Sequence, residues 1–273
     1  MSHLHRHLAP ISEAAWGEIE EEAKRTLKTT LAARKLVDFA GPKGWAKSAV
    51  GTGRVKPLNP GPRAGVAAAA RQVLPMVELR AVFELSLEEL DAVDRGSKNP
   101  DLDSVIVAAR NIAMAEDGAV FHGYAAAGIE GLCEAAPGGP VPLTDNYEDY
   151  PIAVATALGR LRQAGVDGPY AIALGQQCYT GLTETTKGGY PVIQHVRRLV
   201  DGPIVWAPAV NGAAVLSMRG GDFQLTVGED FSIGYLDHDA KTVRLYLEES
   251  FTFQDLSPQA AVYLSYGAKG KKS

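Results

Sequence analysis

The sequence predicts an α+β fold, and three observations carry that prediction. Two segments, residues 12–31 and 99–126, place apolar residues at helical spacings of three and four. A third, residues 77–85, alternates strictly with a period of two, as a half-buried strand does. From residue 213 onward, strand runs follow one another with no intervening helix, so helices and strands occur in blocks rather than in βαβ alternation.

In the first helix Ser12 is the expected cap. Trp16, Ile19, Ala23, Leu27 and Leu31 form the apolar face, and Glu18, Glu20, Glu21, Glu22, Lys24, Arg25 and Lys28 form the charged one. Such a helix could pack on its own domain or act as an arm docked on something larger. Leu36–Phe39 reads as a short strand closed by Gly41-Pro42-Lys43-Gly44. Residues 51–65 hold Gly51, Gly53, Pro57, Pro60, Gly61, Pro62 and Gly65, which forbids a helix and denies the segment a core of its own. A linker and a projecting extended loop both fit. After the alternating strand, Ser86-Leu87-Glu88-Glu89 reads as a capping box opening a helix that stops near Gly96. Asn99-Pro100 then starts the longest helix, about 40 Å if it runs to Ala126.

Further helices are expected over 149–164, 176–184 and 192–200. Strands are expected over 170–174, 204–206, 213–218, 223–227, 231–236, 242–253 and 261–266. Gly220-Gly221-Asp222 and Asp237–Ala240 read as turns, Thr185–Gly189 as a loop and 267–273 as a basic, flexible tail.

Composition narrows the function. Hydrophobic residues make up 46% and charged residues 22% of the 273, an ordinary globular balance. The 27 basic and 32 acidic side chains give a net charge of −5, without the broad positive field that captures nucleic acid. Cys133 and Cys178 are too few for a disulfide framework and read as reduced thiols. The first residues lack a signal-peptide core, and the longest uncharged run, 202–218, is short of a membrane span and interrupted by Pro203 and Pro208, so a cytoplasmic protein is expected.

No GxGxxG, GxxxxGK[ST], GxSxG or HExxH pattern occurs. His3, His5 and His7 could ligate a metal from an extended segment, but a mobile terminus explains them as well. Asp237-His238-Asp239 carries ligand types between two strands, where polar residues ordinarily make a hairpin. Glu116 and Asp117 are neighbours on a helix, about 100° apart, so capping, salt bridging or a subunit contact is expected of them rather than paired acid–base chemistry. On these grounds no metal, no cofactor and no catalytic residue is assigned.

An ordered set of fragments resembles the encapsulin shell proteins of the linocin-like type. It comprises Leu8-Ala9-Pro10 with Trp16, Arg34-Lys35-Leu36-Val37-Asp38, Gly41-Pro42-x-Gly44-Trp45, Glu78-Leu79-Arg80, Leu90-Asp91-x-x-x-Arg95-Gly96 and Gly168-Pro169-Tyr170. It continues with Arg219-Gly220-Gly221-Asp222-Phe223, Gly228-x-Asp230-x-Ser232-Ile233-Gly234-Tyr235, Val243-Arg244-Leu245 and Phe251-Thr252-Phe253. The resemblance implies the tailed-phage capsid fold: an N-terminal arm (1–45), an extended loop (46–76) ordered by a neighbouring subunit, a peripheral domain (77–127 and 219–266) and an axial domain (128–218). It implies a non-enzymatic protein that self-assembles into a closed icosahedral shell around cargo enzymes bearing a C-terminal targeting peptide. Cargo by analogy would be a dye-decolorising peroxidase or a ferritin-like iron-storage protein, tying the shell to oxidative stress or iron storage.

By the same resemblance Leu27, Leu31, Arg34 and Asp38 of the arm, with Asp230, Phe231 and Ile233, would receive the cargo peptide, although Leu27 and Leu31 could equally be arm core. Thr185, Thr186, Lys187, Gly188 and Gly189 would line a five-fold pore, with Lys187 favouring anions. Some family members bind flavin through a tryptophan on the short helix after the alternating strand. Residues 86–89 have no aromatic, so flavin is not expected. A prophage capsid protein shares the fold; the roughly 45 residues ahead of the extended loop leave no room for a scaffolding extension. A soluble enzyme or a secreted antibacterial protein is the competing reading from another class, against which the missing catalytic motifs and signal peptide count.

Overall fold

In the computed structural model, residues 3–267 are described, and the rest of the expected tail (268–273) lies outside them. Helix α1 (Glu13–Thr30) begins where Ser12 Oγ accepts the Ala15 N–H. Its buried face is Ala15, Trp16, Ile19, Ala23 and Leu27, as the spacing predicts. A single 3₁₀ turn (Ala33–Lys35) leads to strand β1 (Asp38–Ala40).

The glycine- and proline-rich segment is extended rather than a flexible linker. It forms a long two-stranded ribbon, β2 (Ala49–Arg63) and β3 (Val66–Pro75), turning at Gly65 with φ +79°. The ladder slips between Gly51 and Val55 and again between Leu58 and Arg63. Both edges of a two-stranded ribbon are free, which is where proline is tolerated. Val55, Leu58, Val66 and Val73 stand exposed along it.

Strand β4 (Val77–Ser86) and helix α2 (Leu87–Asp94) follow the prediction, but the capping box does not form. Ser86 occupies the cap with no side-chain bond, and the Leu87 N–H donates to the Lys241 carbonyl instead. Helix α3 (Asp103–His122) is shorter at both ends than its apolar stripe suggests, 20 residues or about 30 Å. Asn99 and Pro100 stay in the approach, where Asp101 Oδ1 accepts the Asp103 N–H. At the other end Gly123 takes φ +80° and lies so close to Ile129 and Gly131 that a Cβ there would meet their backbone at 2.9 Å.

The chain continues through α4 (Leu132–Ala135), β5 (Val141–Leu143), α5 (Tyr150–Gln163), β6 (Tyr170–Leu174) and α6 (Gln176–Glu184). Then come β7 (Thr186–Lys187), β8 (Tyr190–Pro191), α7 (Val192–Arg197), β9 (Ile204–Trp206) and β10 (Ala213–Ser217). The last strands are β11 (Phe223–Val227), β12 (Ser232–His238), β13 (Thr242–Asp255) and β14 (Ala261–Tyr266).

Ten of the strands make two five-stranded sheets, and β7 and β8 pair only with each other. In the first, β13 is the spine: β4 pairs along its first ten residues, β12 along the opposite edge and β11 at its far end, with β1 parallel to β11. Helices α1 and α3 pack on this sheet over a core of Ile19, Leu27, Val105, Ile112, Leu245 and Leu247. The second sheet runs β5-β14-β10-β6-β9. Its inner strands β6 and β10 are buried at every residue, so they read as continuous apolar runs rather than alternation. Strand β14 lies within the 219–266 range expected for the first unit, yet its ladder partners are β10 and β5 of the second. Among the described residues no helix is long and apolar enough to cross a membrane.

Candidate functional site

Where α1 passes over β12, the two elements leave a groove of about 550 Å³. Ala23 and Leu27 of α1 form one wall, with Leu4 alongside, and Phe231, Ile233 and Leu247 form the other. Charged side chains rim it: Arg6, Glu20, Lys24, Lys28, Arg34 and Asp230. Five residues expected in a common site therefore meet here: Leu27, Arg34, Asp230, Phe231 and Ile233.

Two expected members do not. Leu31 is buried in the cluster beneath α1 and takes no part in the wall. Asp38 points elsewhere: its carboxylate accepts the Gly221 N–H at 2.6 Å and borders a small crevice with Leu36, Met218 and Phe223. The reason is local. Asp38 opens β1, whose parallel pairing with β11 carries it away from the face that Arg34 occupies. Helical periodicity about Leu27 brings Ala23, Lys24 and Lys28 to the site and could have found them; Leu4 and Arg6 gave no sequence signal.

Arg34 is the most heavily bonded side chain of the site. Its Nε and Nη2 donate to Glu116, Nη2 also donates to Glu249 Oε2 at 2.9 Å, and Nη1 donates to Asp230 at 2.7 Å. The guanidinium also lies over the Phe231 and Phe39 rings, 4.5 and 5.2 Å from their centroids. Burial alone would lower its pKa, but the bonds and charges of Glu116, Glu249 and Asp230 hold it above the ordinary arginine value. Glu116 and Glu249 are fully buried, and burial together with the charge of Glu116 pushes the Glu249 carboxyl well up. One residue on, Asp117 accepts the Ala32 and Ala33 N–H groups at 2.7 and 2.9 Å. Glu116 and Asp117 thus salt-bridge and cap, tying the end of α1 to α3.

The expected pore segment is a hairpin rather than a flexible loop. Gly188 (φ +59°) and Gly189 (φ +84°) make the tight turn between β7 and β8. Lys187 Nζ donates to the Glu148 carbonyl at 2.9 Å, and the Lys187 carbonyl lies 3.0 Å from His195 Nε2. Thr186 is exposed and Thr185 half-buried.

The other candidates scatter. Asp237 pairs with Arg244, Asp239 accepts the Lys241 and Thr242 N–H groups, and His238 Nδ1 meets the Tyr235 hydroxyl at 2.6 Å. Bonds from those partners lower both aspartate pKa values, as in a hairpin closed by its own polar groups. His3 is drawn away from His5 and His7 toward Glu229 and Glu248.

The family described as "Encapsulating protein for peroxidase" matches residues 1–252. The type 1 encapsulin shell protein of Rhodospirillum rubrum is 56% identical over 270 residues, covering 97% of this chain and 96% of its own. A virus-like particle from Pyrococcus furiosus superposes with a TM-score of 0.65 at 15% identity, covering 92% of this chain and 99% of that one. The capsid of an empty GTA particle superposes with a TM-score of 0.52 at 15% identity, covering 98% and 94%. At such identities the structures speak for the fold alone, and the fold is the α+β fold of capsid-forming chains. The family match and the full-length relative speak for more: a structural role, not a catalytic one. The chain belongs to the encapsulin shell proteins.

Proposed function

We propose that copies of this chain close into an icosahedral shell in the cytoplasm and that the groove between α1 and β12 receives the C-terminal targeting peptide of an enclosed enzyme. The groove carries this reading. It is apolar on both walls and charged at its rim, which suits a short extended peptide with small apolar side chains and polar flanks. The exposed ribbon β2–β3 would be ordered against the neighbouring subunit, residues 77–127 with 219–255 forming the peripheral part and 128–218 with β14 the axial part. The 56% identity to a type 1 encapsulin shell protein over 97% of this chain favours the container reading over that of a prophage capsid.

The test is co-expression with a dye-decolorising peroxidase or a ferritin-like protein that keeps its C-terminal peptide. Purified wild-type particles should be hollow, uniform, hundreds of ångströms across and loaded. In Leu27→Asp a charge stands on the groove wall, and shells should form empty; Phe231→Ala, which takes the aromatic ring from the opposite wall without adding charge, should load poorly. Normal loading of both variants would refute the groove as docking site. Loss of particles in Leu27→Asp, with normal loading of Phe231→Ala, would assign Leu27 to the arm core instead.

We further propose that the β7–β8 hairpin lines a pore at the five-fold vertex. Thr186 and the two glycines are exposed there, and Lys187 places one cation per subunit beside them. Anions should permeate faster than cations of equal size, and Lys187→Glu should reverse the order in a quenching assay on a dye-loaded shell. Equal rates in the wild type would overturn the assignment of selectivity to Lys187.

A further inference from the structure

We propose that His3, Glu229 and Glu248 form a binding site for a divalent first-row transition ion, fastening the chain's first residues to the first sheet. His3 Nε2 lies 2.9 Å from Glu229 Oε2 and 2.9 Å from Glu248 Oε1. All three ligand atoms fall within 4.8 Å of one another. A single imidazole N–H can point at only one of the two oxygens, so a proton at Nε2 leaves the other carboxylate poorly served. A cation between them serves all three. With ligand bonds of about 2.1 Å, a nitrogen–oxygen separation of 2.9 Å subtends roughly 90° at the metal. That is the angle between neighbouring positions of an octahedron, and one imidazole with two carboxylates suits zinc, iron(II) or manganese.

The surroundings hold these atoms in place. The His3 ring is stacked on Trp45, centroids 4.6 Å apart and planes 15° from parallel, which fixes the direction of Nε2. Glu248 is buried, and Arg80 Nη2 takes its other oxygen, Oε2, at 2.6 Å, turning Oε1 toward His3. Arg80 is itself set by the Tyr246 ring, 4.1 Å beneath it. Outer contacts of this kind orient ligands, and their loss alone typically weakens a metal site by about 10–100-fold. The three ligands come from distant parts of the chain: the first residues, the turn before β12, and β13. His5 and His7 are not among them, so the site differs from a run of alternating terminal histidines.

Untagged shells, stripped with chelator and then equilibrated with Zn²⁺ alone, provide the test. Wild-type shells should retain about one zinc per chain after desalting. His3→Ala and Glu229→Gln should each weaken zinc binding by more than about 100-fold, since each removes a ligand rather than a supporting contact. The double variant His5→Ala/His7→Ala should bind like wild type, and light scattering should show intact particles for all three. No zinc retained by the wild type, or retention unaffected by His3→Ala, overturns the proposal. Equal loss in the His5/His7 variant does so too, because it assigns the metal to the terminal histidines as a group.

Discussion

Replacing Arg34 with methionine should cost the protein about 3–5 kcal/mol, because it leaves buried carboxylates without their cation. Glu116 and Glu249 are fully buried, and both bond the same guanidinium. Their desolvation has already been incurred, and Arg34 is what offsets it. A typical domain is stable by about 5–15 kcal/mol, so the loss is a large share of the whole. It should show as a lower denaturant midpoint with unchanged slope, and as particles that release subunits at lower urea. Arg34→Lys should fall between, since one ammonium cannot reach three carboxylates in the planar, forked geometry Arg34 uses. Adding Glu116→Gln and Glu249→Gln to Arg34→Met should recover much of the loss by replacing the stranded carboxyls with neutral amides. Wild-type stability of Arg34→Met alone would show that the cluster does not hold the arm. The experiment also bears on the groove: an Arg34 variant that fails to load cargo has lost its arm anchor, so only Leu27 and Phe231 variants report on docking.

The sequence made much of this architecture legible where glycine and proline bracket short apolar runs. Strands 170–174, 204–206, 223–227 and 261–266 and helix 176–184 match their predicted limits, and each has a glycine or proline directly against at least one end. Other limits were illegible because the deciding partner is distant in sequence. The apolar stripe of α3 continues past His122, but the close approach of Gly123 to Gly131 ends the helix there. The ribbon over 49–75 has composition against it and forms because its two halves pair with each other. Strand β14 gave no sign of which sheet it would join. At the site, the family resemblance named seven residues, and five of them line one groove. Asp38 was lost because one parallel ladder with β11 redirects it. Glu248 and Glu249 are adjacent carboxylates between Leu247 and Phe251 in a strand that is buried over most of its length, and that pair was the available signal for both the Arg34 cluster and the His3 ligands.

Stability should fall as pH rises from about 4 to 7, and Asp117 should account for much of the fall. Burial pushes its carboxyl up to about 7, even though the Ala33 and Ala32 N–H groups favour the charged form and oppose the shift. In the unfolded chain it titrates near 3.8. Between those values the folded protein binds a proton that the unfolded chain has released, so each step upward in pH favours unfolding. Asp255, pushed up to about 6 chiefly by burial, and Glu249 contribute with the same sign. The exposed aspartates with lowered pKa values, Asp237 and Asp239, act below this window and with the opposite sign. The effect of Asp117 alone is on the order of a few kcal/mol across the window. Asp117→Asn removes the titration while keeping one acceptor for the two amides. Its urea midpoint, taken at fixed protein concentration, should therefore change much less between pH 5 and pH 8 than that of the wild type. At pH 5, where the wild-type carboxyl is protonated in the fold, the two proteins should differ least. Parallel pH profiles would mean that Asp117 stays ionised throughout, its two amide bonds outweighing burial. A flatter profile in the variant means that the clamp between α1 and α3 is tightest on the acid side of neutrality, so the arm should exchange its backbone amides faster at pH 8 than intrinsic exchange alone accounts for.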